Sequence, residues 1–211
     1  MPEEAFFFPA ARRKLIRHNK LIQYESIDGA STVGGLLSLD EFVFEKAASV
    51  RFSEPEDRLI HLLPLVGTLR AEASNYNLSI QPGQSALLPV TAGDTVVLSN
   101  TEADEITFIR VVIKKKLRSE LEVSEVELDA HPDRLLVPHV VPTIRLGQFG
   151  GRRDTTLGVH PGNMIFFFVI EGAFEVQGRL LERRDGLSLQ NVREVEFESL
   201  SDYAIVWMIE I

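Results

Sequence analysis

The chain contains no cysteine in 211 residues, which excludes a disulfide framework and thiolate chemistry and suits a reducing cytoplasm. It also has no apolar run near the roughly 20 residues of a membrane-spanning helix; the longest, residues 164–170, is far too short, so no membrane partner is expected. A secretory signal places its charges before a longer apolar run, whereas here Phe6-Phe7-Phe8 comes first and the basic stretch Arg12–Arg17 comes after it. Lysine is missing altogether from residues 119–211, which carry 8 arginines against 16 acids, while residues 1–118 are close to neutral with 14 basic and 15 acidic side chains. A net charge of −9 repels phosphate backbones and argues against a nucleic-acid partner. The basic stretch reads as a solvated arm or edge strand, with an anion contact as the alternative.

Regular 3.6-residue periodicity is scarce. What is there instead is a series of short segments rich in Val, Ile, Leu and Phe, punctuated by Gly, Pro, Asn and Asp. Strands are expected at 42–44, 59–66, 85–88, 95–98 and 106–113, and again at 164–170, 173–176, 187–189, 194–197 and 203–209. Residues 114–120 and a turn near 131–136 are the best helical candidates. Many evenly spaced short strands point to an all-β chain of barrels or sandwiches.

Residues 119–142 divide the halves. They are acidic, then interrupted by Pro132, Pro138 and Pro142, which prevent regular ladders, and read as a surface linker that lends one strand at 121–128. The expected organisation is an N-terminal arm over 1–33, a first barrel over 34–118, this linker, and a second barrel over 143–211. The halves repeat a pattern. Each has an apolar strand ending in a glycine turn, Leu65-Val66-Gly67 or Ile170-Glu171-Gly172, then a second short strand and turn, then a long apolar strand.

On these turns the chain resembles the pirin-like bicupins. The first-barrel stretch of that family, His-Pro-His-Arg-Asp-x-Glu-Ile, is matched by Ser53-Glu54-Pro55-Glu56-Asp57-Arg58-Leu59-Ile60. The later Pro-Gly-Asp and Ala-Gly-x-x-x-x-His-Ser-Glu are matched by Pro82-Gly83-Gln84 and by the run from Ala92-Gly93 to Leu98-Ser99-Asn100. Residues 168–176, continuing through Asp185-Gly186 to 204–206, look like the C-terminal barrel of the bacterial branch related to quercetin dioxygenases. The resemblance covers residues 34–113 and 143–211. It implies two RmlC-like jelly-roll (cupin) β-barrels packed together and, for the family, a transition metal held by three histidines and a carboxylate.

Carried over residue by residue, those ligand positions fall on Ser53, Pro55, Leu98 and Asn100. Proline and leucine have no side-chain donor, so no metal cofactor is expected. A slip of one residue would bring Glu54, Glu56 and Val96 into the positions, and two carboxylates suit a hard cation, although a solvated turn is the simpler reading. His61 lies within an expected strand and could face the barrel interior, as a core histidine or as an acid–base group. His160, just before the 164–170 strand, is the best remaining histidine candidate in the second half. His18, His131 and His139 fall in the arm and linker and form no ligand spacing. Arg152-Arg153-Asp154 after Gly150-Gly151 could form an anion pocket or a surface ion pair. The run 165–170 is apolar on both faces, so both must be covered, and Trp207 is expected to share that packing or to form a shelf for an aromatic ligand.

The sequence therefore leads to a metal-free bicupin that binds a small organic molecule in a barrel cavity, with Ser53, His61, Leu98, Asn100, His160 and Trp207 as candidate lining residues, or that docks a protein partner. A metal-dependent dioxygenase of the quercetinase type and a metal-independent cupin enzyme are the alternatives.

Overall fold

The structure is a computed structural model that describes residues 4–28, 33–114 and 120–211. The chain divides into two compact units, Arg13–Glu125 and a second made of Met1–Arg12 with Val126–Ile211. The N-terminal stretch is thus not one arm: strand β1 (Glu4–Phe8) belongs to the second unit, and the chain from Arg13 onward belongs to the first.

The first unit runs through β2 (Lys14–His18), β3 (Leu21–Ile27), β4 (Leu36–Phe44), β5 (Ser49–Ser53), β6 (Arg58–Val66), β7 (Leu69–Ala73), β8 (Tyr76–Ile80), β9 (Gln84–Val90), β10 (Thr95–Asn100), β11 (Ile106–Lys114) and β12 (Glu122–Glu125). A seven-stranded sheet has the order β12-β9-β6-β11-β4-β3-β2, and a four-stranded sheet the order β5-β10-β7-β8. Strand side chains alternate between faces. One face of the large sheet therefore supplies Phe42, Phe44, Ile60, Leu62, Ala86, Leu88, Ile106 and Phe108 to a core that the small sheet completes with Leu69, Ala71, Val96 and Leu98. Phe108 stacks on Phe42 at 5.2 Å and meets Phe44 edge-on at 5.0 Å.

The second unit adds β13 (Arg134–His139), β14 (Thr143–Phe149), β15 (Arg153–Gly158), β16 (Met164–Glu171), β17 (Phe174–Val176), β18 (Arg179–Leu181), β19 (Gly186–Gln190), β20 (Glu194–Ser199) and β21 (Ala204–Glu210). Its sheets run β1-β19-β16-β21-β14-β13 and β15-β20-β17-β18. Phe149, Phe167, Phe174 and Phe197 fill the core with edge-on contacts at 5.4 to 6.1 Å. Both faces of β16 are buried, as its unbroken apolar run requires: Ile165, Phe167 and Val169 point into this core, while Phe166 and Phe168 point away and are also fully buried. Phe8 on β1 meets Phe166 edge-on at 5.4 Å.

In each unit the two sheets share a core, but among the described residues no strand pair joins their edges. Each is a two-sheet jelly roll rather than a closed barrel. The glycine turns that signalled the repeat are equivalent. Gly67 and Gly172 both have positive φ (70° and 77°), and a Cβ on Gly67 would collide with Ile106, the first residue of the long final strand, while one on Gly172 would collide with Ser201 and crowd Ala204, the first residue of its own final strand.

The linker holds two corrections. β12 pairs with β9, so this acidic stretch does lend a strand, but 134–139 is β13, an extended strand, and not a helical turn. Pro138 is tolerated because β13 is an edge strand whose register shifts between Leu136 and His139. The helical candidate at 114–120 and the Lys114-Lys115-Lys116 run lie largely outside the described residues.

Candidate functional site

The residues carried over from the metal-binding pattern do not converge. Ser53 ends β5 opposite Thr95, its exposed Oγ 3.0 Å from Thr95 Oγ1. Asn100 lies at the other end of the same ladder, five residues along β10, or about 16 Å at strand rise. Its amide is fully committed: Nδ2 donates to the carbonyls of Phe44, Glu45 and Asp104 at 2.8 to 3.1 Å, and Oδ1 accepts the N–H of Glu102 at 2.8 Å. Asn100 staples the turns on either side of it. Leu98 is buried in the core opposite Val50, with Val96 and Phe52 on the same inner face. Pro55 is exposed in the turn. The slipped alignment fares no better, since Glu56 pairs with Arg58 at 2.8 Å in an exposed turn and Val96 is core.

Among the described residues no group of three or more His, Asp or Glu side chains could hold a metal ion. The donors at the family's ligand positions do not fit a transition metal.

The other histidines are equally scattered. His61 is fully buried on β6 but points to the face opposite Ile60 and Leu62, away from the first core, with Nε2 2.7 Å from Ser85 Oγ. The register needed to see this was not readable from sequence. His18 is exposed, His131 is exposed with Nδ1 3.1 Å from the Glu127 carbonyl, and His139 is buried on β13. Trp207 is fully buried on the face of β21 opposite Val206 and Met208, in register with Phe168. Arg152 and Arg153 form ion pairs with Glu198 (3.3 Å) and Asp133 (3.2 Å), and the N–H groups of Gly150 and Gly151 are taken by Asp133 and Asp202, so these donors serve the turn.

Two polar clusters do stand on the inward-facing rows of the large sheets. In the first unit Arg110 on β11 sits directly across from Asp40 on β4. Its Nε and Nη2 donate to Asp40 Oδ2 at 3.2 and 2.7 Å, and the guanidinium lies over the rings of Phe42 (5.3 Å) and Phe52 (4.7 Å). Asp40 also accepts from Gln23 Nε2 and Ser38 Oγ. Cation–π contact and a two-bond ion pair together hold this charge at the end of an apolar core.

In the second unit Glu210, on the last strand and on the row of Met208, is buried with its side chain 1% exposed. Oε1 accepts the N–H of His160 (2.8 Å), Nδ1 of His160 (2.6 Å) and Nδ2 of Asn163 (3.2 Å). Arg145 Nη1 on β14 lies 3.0 Å from Oε2, within ion-pair range but outside hydrogen-bonding geometry. Burial alone would raise the Glu210 pKa; the hydrogen bonds from His160 and Asn163, with the nearby Arg145 guanidinium, outweigh it and hold the carboxyl below its ordinary value of 4.5. His160 was among the sequence candidates. Glu210 and Arg145 were not, because nothing in the sequence marks a lone Arg and a lone Glu 65 residues apart as neighbours.

Clefts of 390 to 440 Å³ open at the surface among the described residues. One lies beside His18, Leu21 and Val50, one beside Phe149 and Tyr203, and one over the acidic outer face of the β15-β20-β17-β18 sheet. No helix among the described residues is long and apolar enough to cross a membrane.

Residues 142–210 match the family model described as the quercetinase C-terminal cupin domain. No curated protein sequence matches the chain. Among solved structures, YhhW from Escherichia coli is similar at a TM-score of 0.80 and 12% identity, covering 98% of this chain and 97% of that one. A structure of bacterial pirin YhhW in complex with nickel(II) aligns at 0.76 and 14%, with 98% of each chain covered. A quercetin 2,3-dioxygenase from Acinetobacter baumannii aligns at 0.74 and 15%, covering 97% and 85%. Two jelly rolls of the same strand order define the chain as a bicupin. Over residues 142–210 the chain is similar to the quercetinase C-terminal cupin domain, and over its whole length it shares the two-cupin fold of the pirin structures.

Proposed function

We propose that this bicupin works in the cytoplasm as a metal-free binding module, taking a small organic ligand or a protein partner rather than a nucleic acid or a membrane. The observation that supports this is the fate of the four carried-over positions: Ser53 and Asn100 stand at opposite ends of one ladder, Leu98 is core, and Pro55 has no donor. The inner face that would surround an open-sited metal is lined by Val50, Phe52, Val96 and Leu98, none of which can ligate. Binding, unlike oxygen chemistry, does not require that donor set.

A second reading is a quercetinase-like dioxygenase. It is favoured by the family match over 142–210 and by the likeness to a quercetin 2,3-dioxygenase, and it requires a metal held by residues other than those carried over.

The deciding experiment is elemental analysis of protein purified without chelator or a histidine tag, followed by oxygen uptake on flavonols with and without added iron or nickel. We expect no stoichiometric transition metal and no turnover. A near-stoichiometric metal with oxygen-dependent turnover would overturn the binding reading in favour of the enzyme.

A further inference from the structure

The cluster around Glu210 has no part in the binding reading above. We propose that the second unit carries a metal-independent acid–base site, in which His160 Nε2 takes and returns a proton on a small organic anion, Glu210 is its positioning residue, and Arg145 supplies the counter-charge for the anion.

Three observations carry this. First, a carboxylate only accepts, so the 2.6 Å contact places the imidazole proton on Nδ1 and leaves the Nε2 lone pair free. Second, the His160 side chain is 75% exposed while that of Glu210 is 1% exposed, so Nε2 meets solutes and the carboxylate behind it does not. A buried carboxylate fixed by three donors on one oxygen holds the ring in one tautomer and one orientation. Third, Arg145 is held on the other oxygen of the same carboxylate, outside hydrogen-bonding geometry, with its side chain 11% exposed. Its remaining N–H groups suit a carboxylate or phosphate.

The substrate class is therefore a small organic anion with an exchangeable proton. That proton passes to Nε2, the electron pair of the broken bond stays on the substrate, and the imidazolium returns the proton to it. No oxidant or reductant is required.

A purely structural cluster would also pin the turn at 160–163 to β21, through the His160 N–H and Asn163. It would not need the proton on Nδ1 with Nε2 facing water. His131 is the internal control, being exposed with its Nδ1 on a backbone carbonyl rather than a carboxylate.

The test uses the full chain and p-nitrophenyl acetate as the probe. Nε2 takes a proton from the water that adds to the ester carbonyl, p-nitrophenolate leaves as acetate forms, and the imidazolium returns its proton to solvent. We expect His160→Gln to lower the rate about tenfold or more, Glu210→Gln to lower it several-fold, and His131→Gln to leave it unchanged. A His160→Gln rate within about twofold of wild type would overturn the proposal, whatever the metal content of the protein. Nitrogen-detected NMR of the unmutated chain needs no variant to fold: a dominant Nδ1–H tautomer at His160 supports the site, and a dominant Nε2–H tautomer overturns it. Added inorganic phosphate should shift the His160 resonances in the wild type and not in Arg145→Gln; no shift in the wild type removes the anion from the proposal.

Discussion

The two jelly rolls share a topology and spend their charges differently. Strand for strand, β12-β9-β6-β11-β4-β3 corresponds to β1-β19-β16-β21-β14-β13, and β5-β10-β7-β8 to β15-β20-β17-β18. In the first unit β4 carries the acid and β11 the base, Asp40 and Arg110 facing each other in register. In the second the signs are exchanged: β14 carries Arg145 and β21 carries Glu210, offset along the ladder, so that Glu210 lies across from Thr143 and within reach of His160. The first pair closes on itself over two aromatic rings, whereas the second leaves an imidazole in water. The outer faces of the small sheets differ as well. One row of the first reads Ser49, Ser99, Arg70, Ser79, while the corresponding row of the second sets Asp154, Glu198 and Glu175 side by side. Strand order and the glycine turns constrain the core; the ends and outer faces are free to diverge.

Removing the guanidiniums breaks this comparison with the largest effect. Arg110→Met strips two charge-assisted bonds from Asp40, whose side chain is 2% exposed, and is expected to cost about 3 kcal/mol in urea denaturation. Arg145→Met should cost about half of that, because Glu210 keeps His160 and Asn163. Equal costs would show that the offset pair is as tightly coupled as the in-register one.

Acid titration sharpens the contrast at the second pair alone. The folded-state pKa of Glu210 lies below its ordinary value, so its contribution to stability is present above pH 4.5 and lost as pH falls through the folded value. The wild type should lose stability on acidification below pH 4.5 more steeply than Glu210→Gln, measured by denaturant midpoints at each pH. Superimposable pH profiles would mean that the buried carboxylate is not held ionised by its donors.

The smallest effect belongs to the acidic row. Like charges directly across a ladder destabilise it, so Glu175→Lys, which sets a cation opposite Glu198, should raise stability by about 0.5 kcal/mol. The gain should shrink in high salt. A loss of stability, measured by thermal unfolding in low and high salt, would mean that the row is balanced by charges other than its neighbours.

Much of the fold was legible in the residues. Runs such as Leu59–Val66 and Phe166–Ile170 are too apolar and too short to be anything but buried strands, and Gly67 and Gly172 marked equivalent turns. Edge strands β8 and β15 were missed because YNLSI and RDTTLG contain no apolar run, and an edge strand needs only one buried face. The sequence allowed an N-terminal arm across the second barrel, but not that the arm is split, with β1 pairing β19 and the chain from Arg13 joining the first unit, since β1 and β19 are separated by most of the chain.

By itself the sequence determined that this is an all-β chain built from a repeated unit, since that follows from residue identity and local spacing. Only the tertiary structure decided which face His61 takes, that Ser53 and Asn100 stand at opposite ends of one ladder, and that His160, Glu210 and Arg145 meet. Side-chain direction in a strand reverses with every residue, so one step of register changes every neighbour, and that register is set by packing across the whole sheet.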